Sequence, residues 1–214
     1  MTARSRTSLT KTLTLLAAGL FASVSVPPVM AQSGVKQMTI AVPFGPTNNA
    51  PDPRARQNGW LANRAGVSET LVGLDYEMNM IPRLATAYES LSETEWKITL
   101  RQGVKFHDGS PMTAESVKAS FQKLDEEGHP GHNPRLSKLL GISGIEIVDD
   151  KTLIFRTAAP NSAFLWSLTE PSAAVLKEAT SEMPIIGTGP SVFERAETDK
   201  TYQVKAFADY WGGA

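Results

Sequence analysis

The sequence predicts a mixed α/β (α+β) fold, and three observations carry that prediction. Trp96, Ile98 and Leu100 alternate with Lys97, Thr99 and Arg101, the period of a strand with one wet face. Ala114, Val117, Phe121 and Leu124 recur at helical spacing and form one apolar stripe of an amphipathic helix. Around this pair, strand-like and helix-like segments follow one another without the regular alternation of a wound parallel sheet.

Taken in order, the chain opens with a segment that belongs outside the fold. Arg4, Arg6 and Lys11 form a basic start without an acid, the uncharged run Leu13–Val26 follows, and Val29-Met30-Ala31 ends as a cleavage site does. Residues 1–31 therefore read as a secretory signal peptide of the general export type. The run is shorter than the roughly 20 apolar residues a membrane span needs. Cleavage before Gln32 removes those three cations and leaves a net charge of −4.

Gln37–Val42 reads as a short buried strand stopped by Pro43, and Phe44–Arg56 is a loop rich in proline and asparagine. Gln57–Glu69 is expected to be helical, with Trp60, Leu61 and Val67 on its apolar side. A strand is expected over Leu71–Asp75, and a short helical turn near Ala85. Asp108-Gly109 makes the corner after the Trp96 strand, since glycine accepts a positive φ. Thr113 sits at the N-cap of the next helix, with Glu115 in its first turn, favourable to the helix dipole.

Glu126–Pro134 is a surface loop by composition. Gly144–Val148 and Thr152–Arg156 form a hairpin around Asp149-Asp150. Asn161 is expected to cap a helix over Phe164, Leu165 and Leu168 that Pro171 breaks. Ser172 is expected to start another helix, to Ala179, before a loop over Pro184–Pro190 and a strand over Tyr202–Phe207.

Composition narrows the function. The chain of 214 residues is 41% hydrophobic and 20% charged, in the range of a globular protein with a real core. It has no cysteine, which removes disulfides, thiolate metal sites and cysteine nucleophiles. A net charge of −1 argues against a nucleic-acid partner held through phosphates.

The run Trp96–Phe121, W-x-I-x-L-R-x-G-V-K-F-x-D-G-x-P-M-T-A-E-S-V-K-x-S-F, carries a family resemblance. With Ile186-Gly187-Thr188-Gly189-Pro190 and Asp209-Tyr210-Trp211-Gly212-Gly213 in the same order, it resembles the extracytoplasmic solute-binding proteins, family 5. These are the dipeptide-, oligopeptide- and nickel-binding components of ABC importers. The resemblance runs from about Met38 to the last residue. It implies a periplasmic-binding-protein-like first lobe over residues 32–214, incomplete because the second lobe and the returning segment of that fold are absent. On this reading the chain is an N-terminal fragment.

The resemblance further implies a periplasmic protein that captures a small molecule, a peptide or a metal chelate, and delivers it to an ABC permease in the inner membrane. No cofactor and no catalysis are expected. Ligand-binding groups are expected on loops that face a cleft: Arg56, Asn58, Trp60 and Asn63, whose polar donors and aromatic wall suit a zwitterionic or carboxylate-bearing solute. In nickel-binding relatives an arginine in a Pro-Arg-Pro stretch reaches the chelate's carboxylate. Here Thr169-Glu170-Pro171 takes that place, so an acid would favour an ammonium group. Arg135 is expected to restore a carboxylate partner.

His129 and His132 share a loop but have no third ligand at a metal spacing, and are expected to be exposed loop histidines. His107 is expected to be a hydrogen-bonded turn residue. Among enzymes, a peptide hydrolase is the alternative. However, Gly141-Ile142-Ser143-Gly144 lacks the spacing of a nucleophile elbow, and Gly187-Thr188-Gly189 lacks that of a dinucleotide or phosphate loop.

Overall fold

A computed structural model describes residues 44–55 and 57–213. The expected signal peptide, the expected strand over Gln37–Val42 and Arg56 lie outside the described residues. The described elements are α1 (Asn58–Arg64), β1 (Val72–Leu74), β2 (Met80–Pro82), β3 (Ala85–Ser92), β4 (Glu95–Leu100) and α2 (Ala114–Gln122), then α3 (Pro134–Leu140), β5 (Ile142–Asp149), β6 (Thr152–Thr157), α4 (Phe164–Ser167), β7 (Ser191–Glu197) and β8 (Thr201–Ala206).

A four-stranded antiparallel sheet in the order β3-β4-β6-β5 forms the centre. Register divides it into two faces of opposite character. Ser90, Trp96, Phe155 and Ile145 lie across one row, and Tyr88, Ile98, Leu153 and Ile147 across the next. This face takes the apolar stripe of α2 and the aromatic of α4. Phe121 meets Phe155 edge-on at 5.3 Å, Phe164 tilts against Phe155 at 5.6 Å, and Trp96 stacks on Phe164 at 5.8 Å. The other face is wet: Glu89, Lys97, Ile154 and Glu146 share a row, and Arg156 bonds Glu95 at 2.9 Å and Glu146 at 2.5 Å.

Helix boundaries follow local chemistry. Thr113 accepts the Ser116 N–H, and Ser116 Oγ accepts the Thr113 N–H at 2.9 Å, a reciprocal cap for α2. Asn133 caps α3 through the Leu136 N–H, Pro134 fills the first turn, and Gly141 ends the helix at φ 61°. Asn161 ties two elements together without being the expected cap of α4, whose N-cap is Ala163: its Oδ1 accepts the Ala163 N–H in the turn before α4, and its Nδ2 donates to the carbonyls of Leu139 and Leu140 at the end of α3.

Two-stranded ribbons, β1-β2 and β7-β8, complete the described strands. Beneath β7-β8 lies a smaller core of Ala62, Val67, Leu176, Ile185 and Phe193, with Tyr202 edge-on to Phe193 at 5.0 Å.

Several expected elements differ. The turn expected near Ala85 is instead the edge strand β3, whose largely exposed face offers little apolar alternation to read. The helix expected from Ser172 to Ala179 is a single 3-10 turn, Pro171–Ala173. After it the chain runs extended, with Ala174 bridged to Thr70 and Val175 N–H bonded to Glu69 O. Burial of Ala174, Val175 and Leu176 as one continuous run suits such a segment better than a helix with a wet side. The helix expected over Gln57–Glu69 is only Asn58–Arg64. Gly66 at φ 72° turns the chain, and Trp60 faces outward at 47% exposure. α3 and β7 lie where the sequence reading placed no element.

Candidate ligand-binding site

The signature segments converge on two buried polar groups. His107 is enclosed, its ring edge-on to Phe207 at 5.1 Å. Its Nδ1 accepts the Gly187 N–H at 3.2 Å, so Nε2 carries the proton and donates to Gly189 O at 3.0 Å. Its own N–H donates to Gly187 O at 2.9 Å. Burial holds the imidazole below the usual histidine range, against the opposing pull of Gly189 O and Asp108. The expected hydrogen-bonded turn role of His107 is the one found.

The 186–190 loop also presses on the chain after α1. A Cβ on Gly187 would lie 2.1 Å from Val67 O, and one on Gly189 2.2 Å from Gly66 O, so only glycine allows the contact. From the other side, Glu69 holds the same loop. Its carboxylate accepts Thr188 Oγ1 at 2.9 Å and Trp211 Nε1 at 3.0 Å on one oxygen, and Tyr210 OH at 3.0 Å on the other. Burial, then the Glu69 charge, push the Tyr210 phenol up to about 12. Arg101 lies over the Trp211 ring at 4.2 Å. The sequence reading passed over Glu69, although a lone acid within Val67–Val72 was its visible signal.

This frame positions α1 and the segment at Pro171. A Cβ on Gly59 would lie 2.6 Å from Pro53 O and 2.9 Å from Ser172 N, so the bare glycine lets α1 close against both. The expected binding residues then separate by role. Asn58 is buried, with Oδ1 accepting the Thr47 N–H at 3.3 Å and Nδ2 donating to Thr47 Oγ1 at 2.9 Å. Asn63 donates to Ser68 O at 3.3 Å and secures the end of α1. Trp60 stands half exposed, tilted against Phe44 at 6.4 Å and covered on one face by the Arg64 guanidinium at 4.1 Å. Arg64 was not singled out in the sequence, although its spacing of four from Trp60 predicts the stack.

Glu170 and Arg135 are brought together. Arg135 Nη1 donates to both Glu170 oxygens at 3.1 Å, so acid and base satisfy each other rather than standing as separate contacts. Arg54 is buried and closed by its own loop: Asp52 accepts from its Nε and Nη2 at 3.0 and 2.7 Å.

Expected to be exposed, His129 instead has a side chain with only 8% exposure, packed against Glu178. Its Nδ1 accepts the Gly131 N–H at 2.9 Å, and Nε2 faces Glu178 Oε1 at 3.1 Å. Burial pushes the Glu178 carboxyl up, but hydrogen bonds from His129 and Lys123 outweigh it and hold the group below the usual carboxylate range. Among the described residues no three His, Asp or Glu side chains gather as a metal site would require, and no helix is long and apolar enough to cross a membrane.

Comparison with known proteins gives one consistent picture. Residues 79–214 match the family of bacterial extracellular solute-binding proteins, family 5 middle. The glutathione-binding protein GsiB of Salmonella typhi is 33% identical over 208 residues, covering 92% of this chain and 39% of the relative. The crystal structure of a nickel ABC transporter from Bacillus halodurans superposes with a TM-score of 0.68 at 32% identity, covering 79% of this chain and 34% of that one. The periplasmic binding protein AgaA of A. tumefaciens R10, in complex with agropinic acid, gives 0.66 at 26% identity, covering 78% and 35%. The chain spans 39% of the length of the curated relatives it matches.

Proposed function

The chain belongs to the family 5 bacterial extracellular solute-binding proteins, and from that membership we propose that it forms the first-lobe portion of the capture component of an ABC importer for peptides or a related small solute. The likeness to GsiB at 33% identity carries this reading, because it spans nearly the whole chain and that relative is named for a tripeptide. On this reading residues 32–214 are one jaw of a cleft, and a second lobe closes over the solute by a hinge motion. The closed form then docks on an inner-membrane permease, and the signal peptide over residues 1–31 delivers the protein to the periplasm.

Within this lobe, Trp60 with Arg64 across its face supplies an aromatic ledge, and Glu170 and Arg135 supply charge at the neighbouring segment. Asn58 and Asn63 hold the backbone that presents the ledge, and Arg56 completes the proposed set. The protein captures solute without chemistry. Affinity comes from polar contacts desolvated on closure.

A nickel-chelate ligand is the second reading, favoured by the 32% identity with the Bacillus halodurans protein. Against it stands Glu170, whose ion pair commits the nearby Arg135 Nη1 rather than leaving it free for an anionic chelate. Native mass spectrometry of the whole protein as purified from the periplasm separates the two: a co-purified peptide mass supports the first reading and nickel supports the second. Hydrolysis of a peptide panel by the same sample would overturn both.

A further inference from the structure

His107 sits in a contact that only a neutral imidazole can keep. Its Nδ1 accepts the Gly187 N–H at 3.2 Å and its Nε2 donates to Gly189 O, so a second ring proton, on Nδ1, would face another donor. The ring has no room to turn: it is 8% exposed, Phe207 stands edge-on to it, and Gly187 closes on its Cε1 edge. No carboxylate pairs with it among the described residues. Asp108, the one charge that acts on the ring, is engaged by Lys177 Nζ and by the Ser110 amide and hydroxyl. From the segment after β8, Asp209 pairs with Lys105 at 2.7 Å and Tyr210 is bound to Glu69. From the chain after α1, Glu69 is committed to Thr188, Tyr210 and Trp211. The glycine loop itself, residues 186–190, has no ionisable side chain.

We propose that His107 is a proton-operated latch: when Nδ1 is protonated, the Ile186–Gly187 peptide turns over, so that Ile186 O accepts the new Nδ1–H and the Gly187 N–H swings away. The geometry supplies each part. In the closed form Ile186 O accepts the Lys177 N–H at 2.9 Å, so the turned form gives up two hydrogen bonds and gains a charge-assisted one. Turning a peptide plane leaves both flanking Cα atoms in place, so the close approach of Gly187 to Val67 O is kept. The residue after a turned peptide must change its φ, and glycine takes that change without strain. The closed form buries a charged ring against a donor, whereas the turned form gives it an acceptor. The turned form therefore holds the proton more tightly, and its share rises as pH falls below the ordinary histidine value of 6.5. What the latch releases is the Lys177 bridge to Ile186, which fastens the extended run after Pro171 to the glycine loop. Acid thus slackens that run and leaves the four-stranded sheet untouched. The inference does not depend on the solute-capture reading.

The test is native-state amide exchange of the full chain, read by NMR between about pH 7.5 and 5 and corrected for the intrinsic pH dependence of exchange. Opening at the Gly187 and Lys177 amides should increase by up to about tenfold per pH unit below 6.5, and should ignore low urea. Leu153 and Phe155, in the central strand β6, should stay about a hundredfold better protected or more, and should respond to urea. His107→Gln, which cannot titrate, should remove the pH dependence at both amides. Asp108→Asn keeps an acceptor for the Ser110 turn but removes the anion that favours the imidazolium, so the onset should move to lower pH. Opening at Gly187 and Lys177 that is flat with pH, or that keeps its slope in His107→Gln, would overturn the latch. So would opening that follows Leu153 and Phe155 in both pH and urea, which is global unfolding alone. Should the glutamine variant fail to fold, an onset unmoved by Asp108→Asn would overturn it equally.

Discussion

Removing the Glu69 carboxylate tests how the signature segments are held. The side chain accepts three hydrogen bonds, from Thr188, Tyr210 and Trp211. Glu69→Ala strands three donors at once. Thr188 is fully buried, and an unmet buried donor costs about 1–3 kcal/mol, while Tyr210 and Trp211 are partly open and recover some loss through water. The sum is about 4 kcal/mol, a large share of the roughly 5–15 kcal/mol that keeps a domain folded.

Glu69→Gln is the sharper perturbation. Its remaining oxygen still accepts from Thr188 and Trp211, and its amide donates to a Tyr210 oxygen that reverses role, so the loss is about 1.5 kcal/mol. In urea, followed by tryptophan fluorescence, the midpoint should fall by about 2 M for Glu69→Ala and under 1 M for Glu69→Gln, taking a slope of about 2 kcal/mol/M. The glutamine variant should also bring the Tyr210 phenol down from about 12, though not to its ordinary value, because burial is the larger cause and remains. Equal losses in the two variants, or a Tyr210 titration unmoved by Glu69→Gln, would refute the hub.

Other perturbations follow from the same frame. His107 is held below its ordinary value of 6.5, so below pH 6.5 the folded chain binds fewer protons than the unfolded one. Stability should therefore fall as pH drops through that value, by up to about 1.4 kcal/mol per pH unit, and His107→Gln should flatten urea midpoints between pH 7.5 and 5. Asp108 acts in a different window. Burial raises its carboxyl, but Lys177 and Ser110 hydrogen bonds outweigh that and hold it low, so its contribution is intact above pH 3.8 and is lost only in stronger acid. Gly187→Ala should cost about 3 kcal/mol in the same urea assay, since its Cβ would lie 2.1 Å from a backbone oxygen that cannot rotate away. Thr113→Ala should cost about 1 kcal/mol and fray the first turn of α2, visible as faster amide exchange at Ser116.

What the sequence made legible was what local chemistry decides. The Trp96–Leu100 strand, the Asp108-Gly109 corner and the α2 cap each depend on residues a few positions apart, and each stands where periodicity and capping put it. The same holds for the hairpin of β5 and β6. β3 and the extended run Ala174–Leu176 escaped because partners far along the chain decide them: β4 on one side of β3, and Thr70 opposite Ala174. The ligand-site candidates show the same division. Trp60 was read both as an aromatic wall for a ligand and on the apolar side of a helix over Gln57–Glu69, but in α1, which ends at Arg64, it faces outward. Glu170 and Arg135 were read as separate charges, and only the packing of α3 on α4 makes them a pair.

The Glu69 hub joins residues 119 to 142 positions apart. Contacts of such reach carry a large loop-closure cost and are slow to form. A polypeptide delivered N-terminus first, whether from a ribosome or through a membrane pore, has Glu69 long before Trp211. Throughout that interval the carboxylate lacks the Tyr210 and Trp211 donors, so the hub stays incomplete even once the 186–190 loop has met Val67 and His107. Knitting waits for the last aromatic to arrive.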